Sequence, residues 1–197
     1  MTNRHRSVGK DLAVTFFLFI IASALFCPLL LQPDALIYNL DIDYFFAHEV
    51  VIEQSLALGD FPLWNPYFGA GSPTLSKIQI GHFYPPMVLL RLLLPVVARL
   101  NWDAALNVYI AGLGVYWLTR DLVRSRIAAV YSAIAFMLSG SIMPRVFAGH
   151  ESVLHVVAWT GWLLFAYRRM LYRPSWWYVV LSALFSACTV LGGHPQM

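Results

Sequence analysis

Charge is scarce in this chain. Asp, Glu, Lys and Arg make up 12% of its 197 residues, against 59% hydrophobic residues, and the mean hydropathy is +0.65. Soluble domains carry about 25% charged residues, so this composition argues against an ordinary soluble globule and for a multi-pass membrane protein. Cysteine is nearly absent. Cys27 and Cys188 both lie inside apolar runs, which argues against a disulfide framework and makes them small buried hydrophobes. There is no Walker loop, Rossmann fingerprint, nucleophile elbow or Cys/His zinc spacing, so ATP hydrolysis, redox and serine-hydrolase chemistry find no support. The net charge of +3 is no argument for nucleic acid as a partner. In an apolar chain the informative feature is where the cations fall relative to the hydrophobic runs.

Those runs set the expected architecture: all-α, a helix bundle of about five spans forming one transmembrane domain over 1–197. Arg4, Arg6 and Lys10 precede an apolar run from Leu12 to Leu31. Ala22-Ser23-Ala24 has the form of a signal-cleavage site. The run continues past it for about 20 residues in all, enough to span, and reads as an uncleaved first helix. Phe26 is too bulky for the cleavage site that a lipoprotein reading of Cys27 needs. Further spans are expected at Ala104–Thr119, Ile127–Met143, Val153–Tyr167 and Trp176–Leu191.

Between the first two spans, residues 32–103 form a long loop with helices lying at the membrane surface. Its acidic part, Asn39 to Ser76, holds Asp41, Asp43, Glu49, Glu53 and Asp60, then a turn-rich run from Gly59 to Pro73. A helix over 44–58 is expected, with Asp43 as its N-cap and Phe45, Ile52 and Leu56 on one face. The stretch 83–100, interrupted by Arg91 and Pro95, is short for a span and reads as an interfacial helix. With it not crossing, Arg120, Arg124 and Arg126 share the N-terminal side with Arg168, Arg169 and Arg173. This is the arrangement the positive-inside rule asks for. Asp41, Asp43, His150, Glu151 and His194 then gather on the opposite, outer face.

Several segments resemble the bacterial YfhO-type membrane proteins, a family related to the GT-C glycosyltransferases. They are GDFPLWNPYFGAGSP (Gly59–Pro73), FYPP (Phe83–Pro86), the run Ile110–Gly140, AGHES (Ala148–Ser152) and LGGHPQ (Leu191–Gln196). The resemblance covers the chain from about Asp41 onward. It implies a bacterial inner (cytoplasmic) membrane location, with the N-terminus in the cytoplasm and the acidic loop outside. The implied reaction moves a sugar from a polyprenyl-phosphate carrier to a cell-envelope acceptor. Family members have many more spans, and LGGHPQ is a mid-protein motif in them, so the chain is expected to be the N-terminal part of a longer module. A non-catalytic protein that binds or passages lipid-linked sugars, or an inactive remnant, is the alternative.

The same resemblance puts a catalytic carboxylate in the first outer loop, where Asp41 and Asp43 stand, as general base or metal ligand. It places a second acid, Glu151 with His150, on the next outer loop, so that Asp41, Glu151 and His150 would hold a divalent cation, Mg²⁺ or Mn²⁺. Arg91 and Arg145 are candidate clamps for a lipid-linked phosphate, although Arg91 at an interface also suits snorkelling to headgroups. Trp64, Asn65 and Tyr67 either stack on a sugar or pack their own loop. His194, in a turn, is either a substrate contact or a structural hydrogen-bonder.

Overall fold

A computed structural model describes residues 2–32, 34–36 and 41–194, with side chains from residue 9 onward. Asn39 and Leu40 of the acidic stretch, Pro195 and Gln196 of the last motif, and the side chains of Arg4 and Arg6 lie outside the described residues.

The described chain is helical, as expected. In order it forms α1 (Thr2–Leu25), α2 (Cys27–Leu30), α3 (Ile42–Ala57), a two-stranded ribbon of β1 (Trp64–Asn65) and β2 (Ser72–Pro73), a 3-10 turn at Ile78–Ile80, and α4 (Pro85–Leu93). Then follow α5 (Val96–Val123), α6 (Arg126–Met137), α7 (Met143–Ala148), α8 (Glu151–Tyr172) and α9 (Trp176–Leu191).

The long helix α5 is the axis of the fold, packed by α1, α6 and α8, with α9 against α8. Small residues make the contact close. A Cβ placed on Gly161 of α8 would sit 2.8 Å from the carbonyl carbon of Gly114 on α5, so the two backbones nearly touch. Ala111, Ala129, Ala133 and Ala158 are fully buried around this seam, with Leu18 of α1 and Leu154 of α8. A second cluster of Tyr84, Met87, Val96, Leu100 and Cys188 fixes the start of α4 and the tail of α9 to the head of α5.

Three expectations about elements change. The stretch 83–100 is not one interfacial helix. Leu94 is extended (φ −134°, ψ 146°) before Pro95, which disfavours the helical region for its predecessor. Residues 96–100 become the first turns of α5 instead. The acidic helix begins at Ile42, so its N-cap is Asp41 and Asp43 lies in the first turn. Leu56 is 48% exposed, off the buried face of Phe45 and Ile52. The first apolar run is broken at Phe26 into α1 and α2, with Pro28 at the start of the second.

Among the described residues no helix is both long and apolar enough to cross a membrane. The reasons are particular to each helix. α5, with 28 residues, is about 42 Å long, but carries Arg99, Asp103 and Asn107 on one side and ends in Arg120 and Asp121. α6 has 12 residues and α9 has 16, about 18 and 24 Å, short of a bilayer core of about 30 Å.

The two ends of the bundle differ in charge. At one end, Arg126 donates to Asp11 at 2.8 Å, and Arg168 and Arg169 pair with Asp121 at 3.1 and 2.7 Å. Both arginine clusters therefore meet at the C-terminal end of α5, beside Asp11 of α1. α8 runs from there to His150, so its 22 residues set the ends about 33 Å apart.

Candidate functional site

A cavity of about 440 Å³ opens at the end of the bundle away from the arginine clusters. Four turns deliver its polar groups. Asp41 comes from the N-cap of α3, and Arg145 from α7. Gly149, in the left-handed conformation at φ 72°, ends α7 and lets His150 cap α8. His194 follows α9, and Gln79 comes from the 3-10 turn.

The centre of the site is Asp41 and His150, with Oδ2 and Nε2 3.1 Å apart. On its other side the ring faces Arg145, whose Nη1 lies 3.4 Å from Nδ1. A guanidinium only donates, so Nδ1 accepts and the ring proton sits on Nε2, aimed at the carboxylate. His150 thus orients Asp41 and draws Arg145 toward it. Asp41 keeps 51% of its side chain exposed to the cavity mouth. Such a carboxylate can take a proton from a hydroxyl placed beside it, and the neighbouring guanidinium can hold an anion.

Four of the residues singled out from sequence therefore come together: Asp41, Arg145, His150 and His194. The others do not. Asp43 is exposed in the first turn of α3 and does not line the cavity. Arg91 neither clamps a ligand there nor snorkels. It is 6% exposed, bonded to Glu49 through Nε at 3.0 Å and Nη2 at 2.6 Å, and to the carbonyl of His82 at 2.7 Å. Trp64, Asn65 and Tyr67 build their own ribbon. Asn65 Oδ1 accepts from the Tyr67 amide at 2.9 Å, and the Trp64 indole lies against Gly71, where any Cβ would strike it at 2.6 Å.

Glu151 is the largest departure. It points inward, not toward Asp41, and its Oε1 is buried with no hydrogen-bond partner among the described residues. Burial, reinforced by the negative charges of Asp103 and Glu49, raises its pKa well above the ordinary carboxylate value. Turned inward, Glu151 does not line the cavity beside Asp41 and His150. Among the described residues no group of three His, Cys, Asp or Glu side chains is arranged to hold a metal ion. Asp41 and His150 are the donors that would face a divalent cation at the cavity, and no step below depends on one.

Two polar networks beneath the cavity escaped the sequence reading. In the first, Glu49 bridges Arg91 and Arg99, whose Nε lies 3.0 Å from Oε2, and Arg99 also reaches Glu53 at 3.0 Å. In the second, His155 Nε2 lies 2.6 Å from Asp103 Oδ2, and Nδ1 lies 3.2 Å from the Gly192 carbonyl. Asn107 donates to Asp103 at 3.0 Å and accepts from the Tyr84 hydroxyl, which in turn accepts from Trp159 Nε1 at 2.8 Å. Both nitrogens of His155 thus face oxygen atoms, which fixes the ring between α5 and the end of α9. The legible signal was the spacing of Arg99, Asp103 and Asn107, four residues apart each time, which marks one face of a helix. Tyr44 and Gln79, also on the cavity wall, carried no such signal.

No protein-family model, no curated protein and no solved structure matches this chain.

Proposed function

We propose that this chain is part of a multi-pass membrane protein of the YfhO type, and that the Asp41–His150 cavity is a GT-C-like glycosyl-transfer site. In this reading a sugar moves from a polyprenyl phosphate to a hydroxyl of a cell-envelope acceptor. The observation that carries it is the Asp41 carboxylate, 3.1 Å from His150 on an open cavity wall that also holds Arg145. Asp41 removes the proton of the acceptor hydroxyl as its oxygen bonds to the anomeric carbon. The bond from that carbon to the carrier phosphate breaks, and the phosphate leaves with the electron pair beside Arg145.

The membrane setting is supported by the surface. On α1, Leu12, Phe16 and Ile20 recur four residues apart and are each about half exposed or more, and on α9 Trp176, Trp177, Val180 and Leu184 are exposed too. Contiguous apolar surface of this kind marks a contact with lipid or protein. The gathering of Arg120, Arg124, Arg126, Arg168, Arg169 and Arg173 at the end opposite the cavity matches a cytoplasmic end and an outer end. In this topology the crossings are made by α1 with α2, α5, α6, α8 and α9.

Asp41→Asn in the full-length protein tests the chemistry. Transfer from a lipid-linked sugar is expected to fall at least roughly a hundredfold, the scale of general-base catalysis, at unchanged protein level. Undiminished transfer removes Asp41 from the reaction, and tight donor binding without any transfer by the native protein leaves the binding-protein alternative standing. Topology has its own test. With Cys27 replaced by Ser, a cysteine at the exposed Ser76 reacts with an impermeant thiol reagent in intact cells, and one at the exposed Ser175 does not. The reverse pattern would sink the outer placement of the cavity.

A further inference from the structure

A second cavity, of about 390 Å³, lies at the arginine-rich end between α1, α5 and α8. Its wall is formed by Arg120, Arg124, Arg169 and Arg173, with Asp11, Asp121 and Trp117. The two aspartates are already committed. Asp11 accepts from Arg126 at 2.8 Å and from the Tyr116 hydroxyl at 2.7 Å, and Asp121 pairs with Arg168 and Arg169. Arg120 stays 3.7 Å from Asp11, and its Nη1 turns to the carbonyl of Arg124 at 2.9 Å. The Nε atoms of Arg120 and Arg169 are buried without a hydrogen-bond partner among the described residues. Arg124 caps α5 in the left-handed conformation at φ 59°. That backbone is costly for a branched or bulky residue and far easier for Asn or Gly.

From these observations we propose that this cavity is a binding site for a phosphate anion, either free or as the headgroup of an anionic lipid. Four guanidinium groups line one space, those of Arg124 and Arg173 exposed, and this suits a group with several acceptor oxygens. The volume accommodates a phosphate together with the group esterified to it. The proposal is independent of the chemistry assigned to Asp41, which lies at the far end of α8.

The test uses the purified full chain in lipid-free detergent and three single variants. Arg124→Asn removes a cavity cation while suiting the left-handed backbone, and Arg173→Gln removes another from an exposed position. Lys10→Gln removes the same charge from the same end but does not line the cavity. Inorganic phosphate is titrated calorimetrically. In parallel, the unfolding temperature is compared in vesicles of phosphatidylglycerol and of phosphatidylcholine. Saturable phosphate binding weakened roughly tenfold by either cavity variant, and less than about twofold by Lys10→Gln, identifies a free-phosphate site. No phosphate binding, but stabilisation by phosphatidylglycerol that the cavity variants lose and Lys10→Gln keeps, identifies a lipid headgroup site. Response to neither ligand, or equal loss in all three variants, overturns the proposal in favour of diffuse charge attraction.

Discussion

Arg99 and Arg91 keep 2% and 6% of their side chains exposed beneath the Asp41 cavity, whereas Arg120 and Arg126 at the opposite end keep 21% and 30%. Beneath the cavity each guanidinium has a carboxylate beside it, because Glu49 serves both and Glu53 adds to Arg99. At the far end Arg120 and Arg126 share Asp11, Arg168 and Arg169 share Asp121, and Arg124 and Arg173 line the same cavity. A charge withdrawn from water has to be neutralised inside the protein. A partly exposed one is left with binding capacity. The same residue type is structure at one end and surface chemistry at the other.

The sharpest way to break this comparison is Glu49→Ala. It leaves Arg91 and Arg99 buried without their shared partner, a change worth about 3–5 kcal/mol when a buried pair is broken. Reversible unfolding in detergent should show that loss. A cost under about 1 kcal/mol would mean the two arginines reach water or other acceptors, and the contrast between the ends would collapse. Next in size is Gly161→Ala, which acts at the seam that keeps the ends apart. The new Cβ would meet the α5 backbone at Gly114 and Val115, at 2.8 Å from each of two main-chain atoms. Main chain cannot swing aside as a flexible side chain does, so α5 and α8 must separate, at about 1–3 kcal/mol. An unchanged unfolding midpoint would show that the seam is looser than this geometry.

Much of the difference between the ends was legible in the sequence, and the reason is long-range. Arginines in short joints between apolar runs can be assigned to a side by counting crossings, and that count brought Asp41, His150 and His194 to one face without any knowledge of packing. What the count could not give was direction within a face. Glu151 follows His150 immediately, yet the first turn of α8 rotates successive residues by about 100°, sending one side chain to the cavity and the other into the interior. Arg91 looked like an isolated cation in an apolar segment because its partner, Glu49, is 42 residues away in sequence. Composition also misjudged helix lengths. The polar stripe of Arg99, Asp103 and Asn107 extends α5 beyond its apolar stretch, since Glu49 and Glu53 of α3, His155 of α8 and Tyr84 just before α4 satisfy it.

Glu151 gives a pH-dependent form of the comparison. Its pKa is raised on folding, chiefly by burial, so the folded state holds a proton that the unfolded chain releases. Between the unfolded value near 4.5 and the higher folded value, the native state binds more protons, and stability falls as pH rises. Glu151→Gln, which mimics the neutral acid, should be near neutral at about pH 4, below both values. Toward about pH 8 it should stabilise the protein relative to native by a growing margin, on the order of 1 kcal/mol for each pH unit between the two values. Unfolding midpoints of the two proteins that stay parallel across that range would show Glu151 ionised in the fold.

Asp11 is the counterpart at the arginine end, and its effects should be the smallest. The Arg126 hydrogen bond, with help from Tyr116, holds its pKa below the ordinary value of 3.8 despite partial burial. For a lowered acid the sign reverses. The stabilisation is complete above the unfolded pKa and disappears as pH falls through the folded one. Asp11→Asn should therefore cost no more than about 1 kcal/mol at about pH 7, as for other partly exposed pairs, and cost nothing once the native carboxyl is protonated. The same substitution removes one of two anions from the wall of the arginine cavity, so phosphate or anionic lipid should bind roughly a few-fold more tightly there. Lower stability together with higher anion affinity is a combination that a purely structural aspartate would not produce. If Asp11→Asn weakens both, the aspartate is positioning Arg126 and Arg120 for the ligand, and the cavity is a built site with its acid as an integral part.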